Sequence, residues 1–386
     1  MQNNHPLTES FRSRLEKDLK HRRGNSLFRE VRVCRDTRLN LSANDYLHLR
    51  HDSRILRKAR ETAEIYGSGS GASPLLSGFL PCHEELLNKL MVWKKKRCGM
   101  LFNTGFMANQ AVLRHLPSSD DFILADRFIH HSMVQALERG QTRFKRYNHL
   151  DLDHLEELLS KHHKNFETVF VATESVFSMD GDCPDLRRLV DLKRQYPFVL
   201  ILDEAHGTGV LGSTGGGLAE AVGVQEHVDI LVGTLGKALG GMGGYVLTDS
   251  QAVIDYLTNY AGEFIYSTFL PPYQAGVALA SIGIVQGAQG KRQTLHALSH
   301  WFRKELSIQA HIPSGFDTPI IPILIGEAET TLEIQNRCLE KGILVGAVRP
   351  PTVPRGTSRL RVSLHSEQTP EQLQPFISII KEWKTR

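Results

Sequence analysis

VFVAT (169–173), FVLIL (198–202) and ILVGT (230–234) are the runs whose reading decides the fold. Each is short, β-rich and apolar along its whole length, and helical segments such as DLRRLVDLKRQY (185–196) lie between them. A strand apolar at every position must be covered on both faces, and strands alternating with helices join in parallel. The runs therefore predict an α/β protein with a mostly parallel sheet between helices. Beyond about residue 285 the pattern changes. HALSHWFRKELSIQ (296–309) reads as a helix, PIIPILI (319–325) as a strand and TLEIQNRCLEKG (331–342) as a helix. RLRVSL (359–364) then reads as a strand, and a last helix follows Thr369-Pro370. The expected organisation is an N-terminal arm over 1–50, a large domain over 51–285 and a small α+β domain over 286–386.

Upstream, ESFRSRLEKDLKHRR (9–23) has a basic face with Phe11, Leu15 and Leu19 at helical spacing. Asn40–Asp45 with Tyr46 and Leu47 reads as an irregular polar link. GSGSGASPLLSG (67–78) reads as a glycine-rich loop, HEELLNKLMVW (83–93) as a helix, and KKKR (94–97) as that helix's solvated end. No internal repeat interrupts the chain.

The 386 residues are 41% hydrophobic and 23% charged, enough for a sizeable core and too apolar for disorder. A formal charge of +4 gives no general attraction to nucleic acid or to a membrane, and such a surface suits small acidic substrates. No apolar run approaches the roughly 18 residues that cross a bilayer. The start, MQNNHPLTES, lacks a secretory pattern, and the five cysteines (Cys34, Cys82, Cys98, Cys183, Cys338) are odd in number and form no CxxC pair. A reducing cytoplasm is the expected compartment, with no disulfide framework and no metal site.

Each central strand ends in a polar group: Glu174 after the first, Asp203 after the second, Thr234 closing the third with Lys237 three residues on. Ligands of open parallel sheets bind in the crevice at the strands' carboxyl ends. Taken singly, Asp203 would cap the next helix and Lys237 would lie on the surface. On adjacent strand ends, with His206 close by, they define a site. In GTLGKALGGMGG (233–244) Lys237 stands among small residues, accessible to a carbonyl and able to lose its proton when desolvated. Ala238 occupies the place where a Walker A loop carries Ser or Thr, and neither 67–73 nor 212–217 has the G-x-G-x-x-G spacing. A Schiff-base lysine remains, and its natural partner is pyridoxal phosphate. That cofactor needs a carboxylate for its pyridine nitrogen, which Asp203 can supply. It needs helix N-terminal amides for its phosphate, offered at Asn103-Thr104-Gly105-Phe106. It also needs a flat ring partner, for which His130 and His131 compete.

SANDYL (42–47), LFNTGFMAN (101–109), DRFIHHS (126–132), TESVFSMDGD (173–182), DEAHGTGVLG (203–212), IYSTFLPP (265–272) and RPPTVPRGTSRLRVSL (349–364) follow in order. In this set of blocks the chain resembles the α-oxoamine synthases, pyridoxal-phosphate enzymes of fold type I that join an amino acid to an acyl thioester. The resemblance implies that Lys237 is the Schiff-base lysine, Asp203 the pyridine-nitrogen partner and His130 the stacking ring. It places His206 and Ser178 near the cofactor's 3-oxygen, and Thr234 with the backbone of Gly105 and Phe106 at the phosphate. In a homodimer, Ser267 or Thr268 of the second subunit would reach that phosphate. Asn44 and Arg361 resemble the amino-acid-binding pair, with Arg361 on the carboxylate, while Arg29 and Thr352 are placed like substrate contacts. Arg349-Pro350-Pro351-Thr352-Val353-Pro354 is most similar to the branch that condenses L-alanine with a pimeloyl thioester, on coenzyme A or a carrier protein, early in biotin synthesis.

The segment 67–86 departs from the family at Ala72-Ser73-Pro74 and Pro81-Cys82. It bears on acyl-chain and carrier choice, because in the family it lies by the dimer interface and the thioester channel. The competing functions are condensation of glycine with an acetyl or succinyl thioester, a fold-type I aminotransferase, and a cofactor-binding effector domain. The proline turn speaks against the first. An amino donor converting the cofactor to its pyridoxamine form would identify the second. The third wants a DNA-binding extension, and the N-terminal arm is too short for one.

Overall fold

The computed structural model describes residues 8–31, 33, 38–308 and 317–385. Cys34 lies outside the described residues. Twelve strands occur among them: β1 (Leu39–Asn40), β2 (Cys98–Phe102), β3 (Phe122–Asp126), β4 (Arg143–Tyr147), β5 (Val169–Glu174), β6 (Val199–Asp203), β7 (Ile230–Thr234), β8 (Gly244–Thr248), β9 (Ile320–Gly326), β10 (Ile343–Leu344), β11 (Gly346–Val348) and β12 (Ser358–Ser363). Seven make one sheet in the order β2-β8-β7-β6-β5-β3-β4, parallel except where β8 runs against both neighbours. The three runs that open the sequence reading are β5, β6 and β7, side by side at its centre and buried almost throughout. The α/β architecture follows the apolar pattern, and the register sets Glu174 opposite Asp203, so the strand-end polars share one edge.

A three-stranded antiparallel sheet, β11-β12-β9, carries the C-terminal part, covered by the helix Ala328–Glu340, against which the helix Pro370–Lys384 packs. Thr369 caps the second of these through a capping box with Gln372. Leu39 and Asn40, at the end of the N-terminal segment, pair in parallel with Ile343 and Leu344. The link that follows is not a solvated polar connection, because Leu41, Tyr46 and Leu47 are fully buried and Asp45 nearly so. The helix Glu9–Gly24 has no buried residue, and its Phe11, Leu15 and Leu19 stripe is exposed.

The helices run longer than the apolar periodicity predicts. Pro81 opens the helix Pro81–Lys94 as an N1 proline, and Gln289–Glu305 starts about two turns before His296. The segment 67–78 is not wholly a loop, since Pro74–Gly78 forms a short π-helical turn.

The reading of 94–97 as a solvated helix end is wrong. Lys94 and Lys96 are buried, whereas Lys95 and Arg97 face solvent. Lys94 Nζ donates to Thr208 Oγ1 at 2.7 Å and to the Gly216 carbonyl at 2.8 Å, and lies over the Trp93 ring. Lys96 Nζ donates to the Val228 carbonyl at 2.6 Å and to Asp249 at 2.8 Å. Lys95 takes the left-handed conformation at φ 54°, ends the helix and turns alternate side chains inward. Burial is decided here by loops far along the chain, which a local charge run does not report.

Candidate active site

The site is built on the carboxyl edge of the large sheet and on the loops that leave it. Asp203 ends β6 and is 5% exposed. Its Oδ1 accepts from Ala205 N at 2.8 Å and its Oδ2 from Asn109 Nδ2 at 2.7 Å. Lys237 follows β7 in a loop tied by Thr234, whose hydroxyl donates to the Gly243 carbonyl at 3.0 Å and accepts from Gly236 N at 3.1 Å. Burial pulls the Lys237 amine down to about 8, against the opposing charges of Asp203 and Glu174. Glu174, buried at the end of β5, is pushed well above the usual carboxyl range by burial and then by Asp203. It accepts a short hydrogen bond from His130 N.

His130 caps the helix His131–Arg139, its Nδ1 accepting from Ser132 N at 3.2 Å. Burial lowers its pKa, and Asp203, Lys237 and His131 all act on it electrostatically. Both candidates for a ring partner are exposed, and His130 is the one that Asp203 and Lys237 act on electrostatically. The Phe106 ring stands edge-on to His130, with centroids 6.4 Å apart. His206 is held by Tyr46, whose hydroxyl is 2.7 Å from Nδ1. Burial, then the Lys237 and Arg361 charges, drive His206 well below the ordinary imidazole range, so it is neutral at pH 7.

Tyr46 Oη also lies 3.2 Å from Asn44 Oδ1, which accepts from Arg361 Nη1 at 3.1 Å. Arg361, on β12, further donates to the Ser178 carbonyl at 2.5 Å and to Ser363 Oγ at 2.8 Å. Half-buried Asn44 and buried Tyr46, Ser178, His206 and Arg361 thus form one network joining the large sheet to the three-stranded one.

A cavity of about 810 Å³ opens beside this network, lined by His130, Ser178, the turn 350–355 and Arg29. Arg29 Nη2 donates to Thr352 Oγ1 at 2.8 Å, so these two residues, separated widely in the chain, meet at the cavity wall. Arg349 anchors the segment before Arg29 by donating to the Ser26 and Phe28 carbonyls. Four further arginines, at 127, 146, 355 and 359, line the same space, against the single carboxylate Asp180, which Arg359 pairs.

The helix Gly105–His115 points its N-terminus at the strand ends. Thr104 Oγ1 accepts the Met107 amide at 3.1 Å, leaving the amides of Gly105 and Phe106, which no intrahelical carbonyl can reach, for an anion. The approach is tight: a Cβ at Gly105 would lie 3.3 Å from the Thr234 Cβ, and one at Gly244 would be 2.6 Å from Gly105 N. Ser267 sits at the same end, its Oγ accepting from Asn103 Nδ2 at 2.8 Å, and the Thr268 carbonyl accepts from that amide at 2.6 Å. A phosphate cradle, a buried carboxyl group, a nearby amine of lowered basicity and a flat ring are what pyridoxal phosphate requires, and all are present.

The sequence reading omitted Asn109, Ser132 and Tyr46 as site residues. Each acts through another side chain, and the signal for them was membership of the blocks 42–47, 101–109 and 126–132.

Beneath the site, His149 stands between Asp126 and Asp182, 2.8 and 3.0 Å from their oxygens, with its ring against Phe128 and Phe177. Burial alone would lower its pKa, but the hydrogen bonds and charges of the two carboxylates outweigh that and push it up to about 10. Because the folded-state value exceeds the unfolded one, the stabilisation is complete below about pH 6.5 and disappears as pH rises through about 10. His149→Asn should lose about 3–5 kcal/mol near neutral pH, since both carboxylates remain buried without their cation. Urea unfolding at pH 6–10.5 checks this: the gap to the parent should narrow above pH 9, and a constant gap would contradict the charged-pair account.

This site on this sheet defines a pyridoxal-phosphate-dependent transferase of fold type I. The chain belongs to the aminotransferase class I and II family, whose model matches residues 36–380, and within it to the α-oxoamine synthases. It is 38% identical over 385 residues to the 8-amino-7-oxononanoate synthase of Vibrio parahaemolyticus, covering 97% of this chain and 98% of the relative. To the enzyme of that name from Geobacter sulfurreducens it is 41% identical over 340 residues, covering 88% of this chain and 86% of the relative. The crystal structure of 8-amino-7-oxononanoate synthase from Francisella tularensis superposes with a TM-score of 0.77 at 29% identity, covering 90% of this chain and 98% of that one. The fold is shared as well with a serine palmitoyltransferase from S. paucimobilis, at a TM-score of 0.87 and 24% identity over 97% of this chain and 98% of that one.

Proposed function

We propose that this protein condenses L-alanine with a pimeloyl thioester to give 8-amino-7-oxononanoate, carbon dioxide and a free thiol, an early step of biotin synthesis. The observation that carries the reading is the convergence of Lys237, Asp203, His130 and His206 on one edge of the sheet, in a chain about 40% identical to relatives of that activity. Pyridoxal phosphate supplies an aldehyde that condenses with amines and a conjugated ring that accepts an electron pair from the amino acid's α-carbon.

Lys237 Nζ is the amine that would hold the cofactor's aldehyde, and as a free amine it would take the α-proton of alanine. An amine pulled down to about 8 is neutral often enough near pH 7 to do so. Asp203, held by two donors, would meet the pyridine nitrogen of bound pyridoxal phosphate, and His130 would cover its ring. Neutral His206 and Ser178 would lie by its 3-oxygen, with Tyr46 fixing the His206 ring. The amides of Gly105 and Phe106, with Thr234, would hold its phosphate. Arg361, oriented by Asn44, takes the alanine carboxylate, so the α-hydrogen is directed toward Lys237. Arg29 and Thr352 meet the acyl thioester at the cavity wall. The α-carbon bonds to the thioester carbonyl, the carbon–sulfur bond breaks, and loss of the carboxyl group as carbon dioxide with reprotonation completes the balance.

Two copies pair, with Ser267 or Thr268 of one reaching the phosphate site of the other. Leu76 and Tyr266, beside the relevant segments, are 82% and 86% exposed and offer the apolar surface for it. Among the described residues no helix is long and apolar enough to cross a membrane, and the cytoplasm is the proposed compartment.

Mass identification of the product, after incubating the purified protein with alanine or glycine and a panel of acyl thioesters, tests the reading. Alanine with pimeloyl-coenzyme A or a pimeloyl carrier protein should give 8-amino-7-oxononanoate. A product only from glycine and a short thioester would replace the proposal.

A further inference from the structure

Asn109 lies on the buried side of the helix Gly105–His115 and is 3% exposed. Its single amide group donates twice, to Asp203 Oδ2 at 2.7 Å and to Ser132 Oγ at 3.1 Å. Ser132 Oγ in turn lies 2.7 Å from His130 Nδ1. Asn109 Oδ1 is buried with no hydrogen-bond partner among the described residues. An amide that leaves its acceptor unpaired so that both N–H groups point one way is specified by what those groups meet.

The directions of the chain are determined. Ser132 N donates to His130 Nδ1, so that nitrogen carries a lone pair and the Ser132 hydroxyl must also donate to it. Ser132 Oγ is then the acceptor for Asn109, and a neutral His130 carries its proton on Nε2. At the other end, Asp203 accepts from both Ala205 N and Asn109 and has no proton to give in either bond. Turning the amide over would set Oδ1 against Asp203 Oδ2, which is tolerable only if Asp203 were protonated.

We propose that Asn109 is a positioning residue whose one amide holds Asp203 Oδ2 as an acceptor and, through the Ser132 hydroxyl, steadies His130 in the Nε2–H tautomer that Ser132 N selects. The two groups that contact the ring of pyridoxal phosphate, one at its nitrogen and one on its face, are thereby coupled. This rests on pyridoxal phosphate occupying the strand-end site. The titratable groups that face Asp203 besides His130 are Lys237, Glu174 and Tyr245.

The test compares Asn109→Leu, Asn109→Ala and Asn109→Asp with the parent, using dissociation of added pyridoxal phosphate, followed by fluorescence, from pH 6 to 8.5. Loss of a hydrogen bond to a charged group should weaken binding by about tenfold or more in Leu and Ala, with a ratio to the parent that does not vary with pH. In Asn109→Asp the introduced carboxyl faces Asp203. Its deficit should be largest at pH 8.5 and shrink several-fold toward pH 6, as a proton on that carboxyl restores a donor. A residue that only filled space would give a Leu variant within twofold of the parent and no pH-dependent ratio for Asp, and either result overturns the proposal. Should the Asp variant fail to fold, Leu and Ala decide alone, since they fill the space differently and both lack the donor. Failure of the parent itself to bind pyridoxal phosphate would instead refute the proposed function.

Discussion

Lys237→Ala should bind pyridoxal phosphate without the visible band of a Schiff base, and should form product from alanine and a pimeloyl thioester at least ~10³-fold more slowly. Two separate duties are lost together, the covalent tether and the base. No neighbour can take them over. Glu174 is pushed toward its neutral form by burial and by Asp203, His206 is neutral but committed to Tyr46, and His130 spends Nδ1 on Ser132. The glycines around Lys237 leave the loop backbone close to Thr234 and Gly243, so the variant should keep its fold and its melting temperature. Absorbance spectra and steady-state rates measure both effects. A variant within tenfold of the parent would refute the role given to this lysine.

Asp203→Asn is the second large effect. The change removes the charge opposite the pyridine nitrogen and also inverts a donor–acceptor relation. Both Asp203 oxygens accept from N–H groups, Ala205 N at 2.8 Å and Asn109 Nδ2 at 2.7 Å, and an amide nitrogen at either place would face a donor. At saturating cofactor the variant should hold pyridoxal phosphate yet exchange the α-hydrogen of alanine for deuterium at least ~10²-fold more slowly in the absence of acyl donor. Exchange isolates proton removal from acyl transfer. An unchanged exchange rate would show that the ring does not depend on this carboxylate.

Much of this site was legible in the sequence because parallel α/β proteins place their chemistry at strand ends. Three apolar runs put Glu174, Asp203 and Thr234 on one edge, and the register of β5 with β6 bears that out. Lys237 was legible for the same reason, as a single amine in a glycine-rich turn just past β7. What stayed hidden depends on contacts between distant segments. Tyr46 read as part of a polar link, yet it is fully buried and reaches His206 across 160 positions. Lys94 and Lys96 read as solvent-facing because a charge run says nothing of the Thr208 and Asp249 segments that cover them. Asn109 closes the block 101–109, but its meaning lies in the two partners it joins. Arg29, inferred by resemblance in a weakly patterned arm, meets Thr352 because Arg349 ties that arm down, an ordering that no local pattern encodes.

The most direct measurement is borohydride reduction of the protein loaded with pyridoxal phosphate, followed by proteolysis and mass mapping of the modified peptide. The account predicts a single reduced adduct on the side chain of Lys237, and none when an excess of L-alanine is added before the reductant. A principal adduct on any other lysine, or no adduct from a folded and fully loaded protein, would contradict it.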